Sequence, residues 1–363
     1  MTTAYPIQDY ALLSDEECAV KIQAAKATLG KRCIVLGHHY QRDEVFQHAD
    51  ISGDSLKLSK EASESDAEYI VFCGVHFMAE VADILSRPEQ IAILPDLAAG
   101  CSMADMANKV NVQRCWDELA TVIDVENEVT PVTYINSAAD LKAFCGQHEG
   151  IVCTSSNAQK ILEWSFAKRE KILFFPDQHL GRNTAFKMGI SLEDMVVWNF
   201  NKPMGGLTAE QVCNAKMILW GGYCSVHQFF QPEQIDAFLE RYPETKVIAH
   251  PEACFEVCQK ADFMGSTEYI LKTVREAEPN TRWLVATELN LVNRLHEECQ
   301  VQGKNVHFMS PALSMCSTMF RTDPQHLAWI LENLAVGHVV NQISVAPEEA
   351  KFAKIALDNM LAL

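Results

Sequence analysis

The strongest constraint on this chain is the alternation of two hydrophobic rhythms. Short apolar, β-rich runs recur at 32–36, 68–73, 91–94, 132–136, 150–154, 171–176, 195–200, 245–250, 282–287 and 305–309. Between them, apolar residues fall at helical spacing over 55–64, 78–85, 139–145, 158–168, 232–241, 268–276 and 291–300. A strand that is apolar at nearly every position is buried on both faces, and helices between such strands supply the cover. The pattern predicts an α/β protein with parallel sheets in three-layer units. A last helix over 347–363, with Phe352, Ile355, Ala356 and Met360 at helical spacing, is expected to pack as a tail. The polar stretch 201–210, which contains Gly and Pro, is expected to be a surface loop.

The alternation cycles three times. A strand followed by His38 opens a first unit that holds Cys101 late. A strand with Tyr134 and Asn136 opens a second that holds Cys224 late, and a strand followed by His250 and Glu252 opens a third that holds Cys316 late. The first and third opening-to-cysteine intervals are nearly equal, and the middle one is longer. Each unit also has a small-residue turn after a strand: Gly53-Asp54-Ser55, Thr154-Ser155-Ser156 and Gly265-Ser266-Thr267. The expected units are 1–115, 116–230 and 231–363. Three such units around an axis would bring the late cysteines to one place.

A formal charge of −18 excludes a general nucleic-acid binder, which needs a basic face. Small anions remain accessible, because helix N-termini and a few local cations can hold them. No apolar run reaches the roughly 18 residues of a membrane span; the longest, 69–85, is interrupted by His76, Glu80 and Asp83. The first ten residues lack a basic start and an apolar block, so a cytoplasmic protein with no membrane partner is expected. Thirteen cysteines, an odd number, argue against a disulfide framework in a reducing compartment. Cys33, Cys73 and Cys153 lie in apolar runs and read as small core residues.

The chain has no CxxC pair, so a metal site here must use cysteines far apart in sequence. Cys101 follows Ala98-Ala99-Gly100, Cys224 follows Trp220-Gly221-Gly222-Tyr223, and Cys316 lies in a Ser-, Pro- and Thr-rich segment. All three sit in small, turn-prone settings that let a backbone approach a bulky group; incidental loop thiols would look the same. His38-His39-Tyr40 and His250-Pro251-Glu252 each end a strand, where α/β folds place ligands. They offer hydrogen-bond donors, metal ligands and acid–base groups, and each can equally be a satisfied polar turn. Tyr134 and Asn136 share one face of a strand end. Ser55, Ser155, Ser266 and Thr267 stand at expected helix starts, where capping is the ordinary role and anion binding the alternative. The polar segment 177–182 reads as a loop and receives no role.

Together these residues, in the blocks VLGHHYQRDEV, GDSLKLSK, GVHFMAEVADIL, PDLAAGCSMAD, VTYINSAADLKA, CTSSNA, FFPDQHLGR, WGGYCSVH, VIAHPE, MGSTEYIL and VATELNLVNRL, resemble the quinolinate synthase family from about Cys33 to Met319. The resemblance implies three similar α/β units about a pseudo-threefold axis, with the active site at their junction. It implies a [4Fe-4S] cluster on Cys101, Cys224 and Cys316, with one iron left open as a Lewis acid for loss of water. The implied activity is that of a transferase of NAD biosynthesis. It condenses iminoaspartate with dihydroxyacetone phosphate to quinolinate, releasing phosphate and two waters, and is coupled to an aspartate-oxidising enzyme. The implied substrate-binding set is His38, Ser55, Tyr134, Asn136, Ser155, His250, Glu252 and Thr267. Tyr40, His227 and Glu252 are assigned to proton transfer. The chain departs from some family members in lacking further cysteines beside Cys316, where Ser314, Met315, Ser317 and Thr318 stand, so no disulfide is expected there. The stretch Met195–Leu219 also looks long, and is expected to form a loop over the site or a subunit contact.

Two other classes fit some of the same residues. One is a zinc- or cation-dependent aldolase on a (β/α)₈ barrel, using His38, His250 and Glu252. The other is a metabolite-binding or redox-sensing protein without turnover. Polar strand ends in all three units favour an enzyme, since a sensor needs less convergent acid–base chemistry.

Overall fold

The apolar runs form strands, and the strands form three open sheets in a computed structural model that describes residues 4–310 and 315–363. In the first sheet the order is Gln342–Ile343, Ile91–Ile93, Tyr69–Cys73, Cys33–His38, Ile51–Gly53. In the second it is Ile151–Cys153, Val129–Tyr134, Lys171–Phe175, Met217–Trp220, Met195–Trp198. In the third it is Phe263–Met264, Lys246–Ala249, Arg282–Ala286, Asn305–Phe308. Every described pairing is parallel except Gln342–Ile343 against Ile91–Ile93. The central strands are buried at every position, as in Tyr69–Cys73, Val129–Tyr134 and Lys171–Phe175, because helices cover both faces. The sheets are not closed into the barrel that the aldolase reading requires.

The chain divides into one unit of Met1–Cys101 with Met315–Ala346 and another of Ser102–Ser314 with Pro347–Leu363. The first unit holds the first sheet. Its core packs Ile22 and Leu29 of helix Asp15–Leu29 and Leu327, Ile330 and Leu334 of helix Pro324–Ala335 against Val35, Val71 and Ile93 of the strands. The second unit holds the other two sheets. Phe230, Ile235, Val247, Val257, Leu284 and Met309 form the core of the third sheet.

The helix of the tail runs Pro347–Leu361 and packs on Ala139–Gln147 in the second unit. The contact is close: a Cβ on Gly146 would lie 2.0 Å from the carbonyl oxygen of Phe352. The buried face is Ala353, Ala356, Leu357 and Met360, so Ile355, expected inside, instead faces outward at 42% exposure. The expected loop 201–210 is more ordered than its composition implied. Pro203–Gly206 turns back on Trp198 through Gly205, whose φ is +61°, and helix Ala209–Asn214 then leads into strand Met217–Trp220. No described helix is long and apolar enough to cross a membrane.

Candidate active site

Two of the sequence-derived residue pairs share one local construction. His250 follows strand Lys246–Ala249, and its Nδ1 accepts the backbone N–H of Glu252 at 3.3 Å. His38 ends strand Cys33–His38, and its Nδ1 accepts the N–H of Tyr40 at 3.1 Å. Residues 39–40 and 251–252 are turns, so the His250–Glu252 segment is not the extended one expected from sequence. An Nδ1 that accepts leaves the ring proton on Nε2, so each turn presents an imidazole N–H donor of defined tautomer. Burial, with the neighbouring His227, drives the His250 pKa down to about 3 against the opposing pull of Glu252; the ring is neutral at physiological pH.

Glu252 is the hub of the second unit's polar core. Its Oε1 accepts a hydrogen bond from the Tyr134 hydroxyl at 2.7 Å, and its Oε2 lies 2.9 Å from His227 Nδ1. Both His227 and Glu252 are buried. Burial alone would push the Glu252 carboxyl up. The electrostatic influence of the adjacent His227 and His250 rings, with hydrogen bonds from His227 and Tyr134, outweighs it and holds the group below the usual carboxylate range. His227 stacks on His250 with ring centroids 4.7 Å apart, and its Nε2 is 3.3 Å from Thr287 Oγ1. Asp177, fully buried, behaves oppositely. Burial and then the Glu252 charge raise its pKa well above the carboxylate range, so the two neighbouring carboxyls are shifted in opposite directions.

Asp177 and Thr287 were not assigned roles from sequence. The signal for each was its position at the C-terminal end of a strand. The segment 177–182, expected as a loop, is the start of helix Gln178–Lys187, N-capped by Asp177, whose side-chain oxygens accept the N–H groups of His179 and Leu180. Its polar residues face the interior: Asn183 Nδ2 donates to the carbonyls of Pro251 and Ala253 at 2.9 Å each, fixing the turn that carries Glu252.

The remaining candidates divide between the units. His38 and His39 are buried, and the Tyr40 ring meets His38 edge-on at 4.8 Å in the first unit. Ser55 there is the first residue of helix Ser55–Glu64, but Asp54 does the capping. In the second unit, Asn136 Oδ1 is buried with no hydrogen-bond partner among the described residues. Ser155 and Ser266 line a cleft of 200 Å³ with Thr184, Lys187 and Tyr269. Of the hydroxyls at expected helix starts, only Ser266 caps its helix, accepting from the Tyr269 N–H; Thr267 is the buried first residue of that helix.

None of the thirteen cysteines is in a disulfide among the described residues. Cys73 and Cys153 are core residues as expected, and burial pushes the Cys73 thiol up to about 12. Cys33 is only partly buried. Cys101, Cys224 and Cys316 differ from the core thiols: each is partly exposed and lies outside helix and strand. Ser314, beside Cys316, lies outside the described residues. Cys224 Sγ, a ring nitrogen of His227 and a carboxylate oxygen of Glu252 lie within 4.8 Å of one another. The approach to Cys224 is tight, since a Cβ on Gly222 would sit 2.2 Å from the Pro176 carbonyl oxygen. Ser102 and Ser225, each following a candidate ligand, have hydroxyls 3.5 Å apart.

Comparison with known proteins shows the family. Residues 20–362 match the family model described as Quinolinate synthetase A protein. Proteins named quinolinate synthase align over nearly their whole length. That of Acidobacterium capsulatum is 53% identical over 360 residues, covering 99% of this chain and 96% of the relative. Those of a Nocardioides species and Geobacillus thermodenitrificans are 54% and 49% identical, over 96% and 98% of this chain and 90% and 96% of the relatives. The chain therefore belongs to the Quinolinate synthetase A protein family.

Proposed function

We propose that this protein is an enzyme that makes quinolinate, condensing iminoaspartate with dihydroxyacetone phosphate and releasing one phosphate and two waters. The observation that carries the reading is the Tyr134–Glu252–His227 network beside neutral His250, within reach of Cys224. Closing a pyridine ring from these substrates requires repeated proton removal and return. A buried carboxylate bonded to both a phenol and an imidazole links three groups that can pass a proton among themselves.

In this reading His38 and His250 use their Nε2–H groups to hold substrate carboxylate or carbonyl oxygens, and Asn136 supplies an unpaired acceptor for an amine or hydroxyl hydrogen. Ser55, Ser155 and Thr267 stand at or near helix starts and bind anionic ends. Glu252 accepts a proton, and Tyr134 and His227 carry it onward; Tyr40 serves the same purpose from the first unit. Neutral imidazoles and hydroxyls let an acidic protein receive two anionic substrates without burying further positive charge.

The donor set fits an iron–sulfur cluster: three partly exposed thiols on loops, none in a disulfide, one approached through a glycine that admits no side chain. Cys101, Cys224 and Cys316 would hold a [4Fe-4S] cluster, which supplies Lewis-acid chemistry for loss of water. The repeat boundaries 1–115, 116–230 and 231–363, a cytoplasmic location, and supply of iminoaspartate by an aspartate-oxidising enzyme belong to the same reading. Coupling is chemically reasonable because an imine of this kind hydrolyses in water.

A second reading is favoured by the Cys224–His227–Glu252 group, which could ligate a single metal ion. It would compete with the Glu252 contacts to Tyr134 and His227. Iron and acid-labile sulfide on protein purified without oxygen decide between them. Four of each per chain, lost in each of Cys101→Ala, Cys224→Ala and Cys316→Ala, is the expected result for a four-iron cluster, about four being the full complement. Zinc without sulfide, or iron indifferent to these cysteines, would put the single-ion reading first.

A further inference from the structure

Two of the three candidate ligands, Cys101 and Cys316, belong to the first unit, and one carboxylate joins the loops that carry them. Asp96 Oδ1 accepts the Ala98 N–H at 2.9 Å, and its backbone carbonyl accepts the Ala99 N–H at 3.0 Å. These bonds wind the turn 96–100 that delivers Cys101. That turn is anchored in turn by the His76 N–H, which donates to the Ala99 carbonyl at 2.8 Å. The other carboxylate oxygen, Oδ2, lies 2.8 Å from Arg321 Nε. Arg321 ends the 3-10 turn Met319–Arg321 that follows Cys316, and the Phe320 N–H donates to the Cys316 carbonyl at 3.0 Å.

The same short turn also meets the segment that carries His38 and Tyr40. The Arg42 guanidinium lies 3.6 Å over the Phe320 ring and donates to the Phe320 carbonyl, and Gln41 Nε2 is 3.4 Å from Met319 Sδ. Met319 is buried, whereas Asp96 and Arg321 differ in exposure, with side chains 12% and 49% exposed. The bracket is therefore anchored on the carboxylate side and open to water on the guanidinium side.

We propose that Asp96 and Arg321 are positioning residues for the cluster: their ion pair sets the separation of the Cys101 and Cys316 loops and slows loss of the group those cysteines hold. The proposal rests on the cluster reading above. Asp96 has a dual role, since one oxygen shapes its own loop and the other reaches the second.

The test uses anaerobically purified full-length protein: wild type, Asp96→Asn, Arg321→Gln, the double variant, and Arg321→Lys. Asn at 96 keeps an acceptor for the Ala98 N–H while removing the charge. The measurements are iron loss to an excess of chelator, the electron paramagnetic resonance spectrum of the reduced cluster, and thermal unfolding of the cluster-free proteins. The expected outcome is iron loss about threefold faster in each single variant, the size an exposed ion pair can supply. The double variant should lose iron no faster than the singles, and Arg321→Lys should recover most of the wild-type rate. The reduced-cluster spectrum should shift in the single variants while the cluster-free unfolding midpoints stay within about 2 °C of wild type. Equal loss rates, or faster loss matched by a lower cluster-free midpoint, would overturn the positioning role, as would independent effects that multiply in the double variant. Wild-type protein with no iron or sulfide would defeat the cluster reading itself; an intact wild-type cluster with indifferent variants defeats only the pair.

Discussion

The polar core around Glu252 and the bracket around Asp96 are both built from a carboxylate that answers a cation or a potential cation, and they are held in opposite ways. Glu252 and His227 have side chains 5% and 0% exposed, and water cannot screen or replace their contact. Arg321 is half exposed. Removing one partner of a buried pair typically costs about 3–5 kcal/mol, because the other is left desolvated. An exposed pair contributes about 0.2–1 kcal/mol. The buried pair can fix a protonation state and so serve chemistry. The exposed pair can only bias the separation of two loops.

The sharpest way to break the contrast is Glu252→Gln. The amide keeps the shape and can still meet Tyr134, but it cannot take a proton, and His227 Nδ1 loses its carboxylate partner. Turnover to quinolinate should fall by about 10²–10⁴, with iron and sulfide unchanged. Activity within tenfold of wild type would remove Glu252 from proton transfer. Tyr40→Phe probes the first unit in the same assay. Tyr40 as a residue is less buried than Glu252, and a smaller loss of about 10²-fold is expected with the cluster retained. Full activity would confine Tyr40 to packing against His38.

Gly222→Ala tests backbone approach rather than charge. The added methyl would lie 2.2 Å from the Pro176 carbonyl oxygen, a backbone atom with no rotamer to yield. Overpacking of this kind costs about 1–3 kcal/mol. The thermal midpoint should drop by several degrees, and the displaced Cys224 loop should also retain less iron. An unchanged midpoint would mean that the 220–224 segment is freer than its contacts imply.

The same contrast explains what could be read from the sequence. Strands such as Tyr69–Cys73 and Lys171–Phe175 were legible because burial on both faces leaves a continuous apolar run. Helices Ser55–Glu64, Ala158–Lys168 and Pro232–Arg241 were legible from their apolar stripes. Strand Met217–Trp220 was hidden by its shortness and by the Gly-Gly turn that follows. Helix Gln178–Lys187 was mistaken for a loop because its interior face is polar: Asn183 and His179 are buried against carbonyls and Gln228 rather than water. Composition records polarity without saying which side of the protein it faces. The site residues followed the same rule. His38, Tyr134, His250 and Glu252 stood out at strand ends, but the pairing of Tyr134 and His227 on Glu252 is long-range in sequence and no local pattern carries it.

The smallest expected effect lies at the His326–Asp323 pair of the first unit, intermediate between the two extremes. Both side chains are 27% exposed, and His326 Nδ1 is 2.8 Å from Asp323 Oδ1. The hydrogen bond to Asp323 raises the His326 pKa above its ordinary 6.5, against the opposing effect of burial. Burial would raise the Asp323 pKa, but the bonds from His326 outweigh it and hold the pKa below its ordinary 3.8. The signs follow from linkage. The His326 contribution is complete below the unfolded-state pKa and is lost as pH rises through the higher folded value. The Asp323 contribution is complete above its unfolded-state pKa and is lost as pH falls through the lower folded value. Stability from the pair is thus greatest between about 4 and 6.5. With partial exposure its worth is about 0.5 kcal/mol, so the His326→Gln variant should unfold about 1–2 °C below wild type at pH 6. The gap should narrow by pH 9. A gap that widens with pH would mean that His326 stabilises the fold as a neutral ring, through packing on its helix rather than through charge.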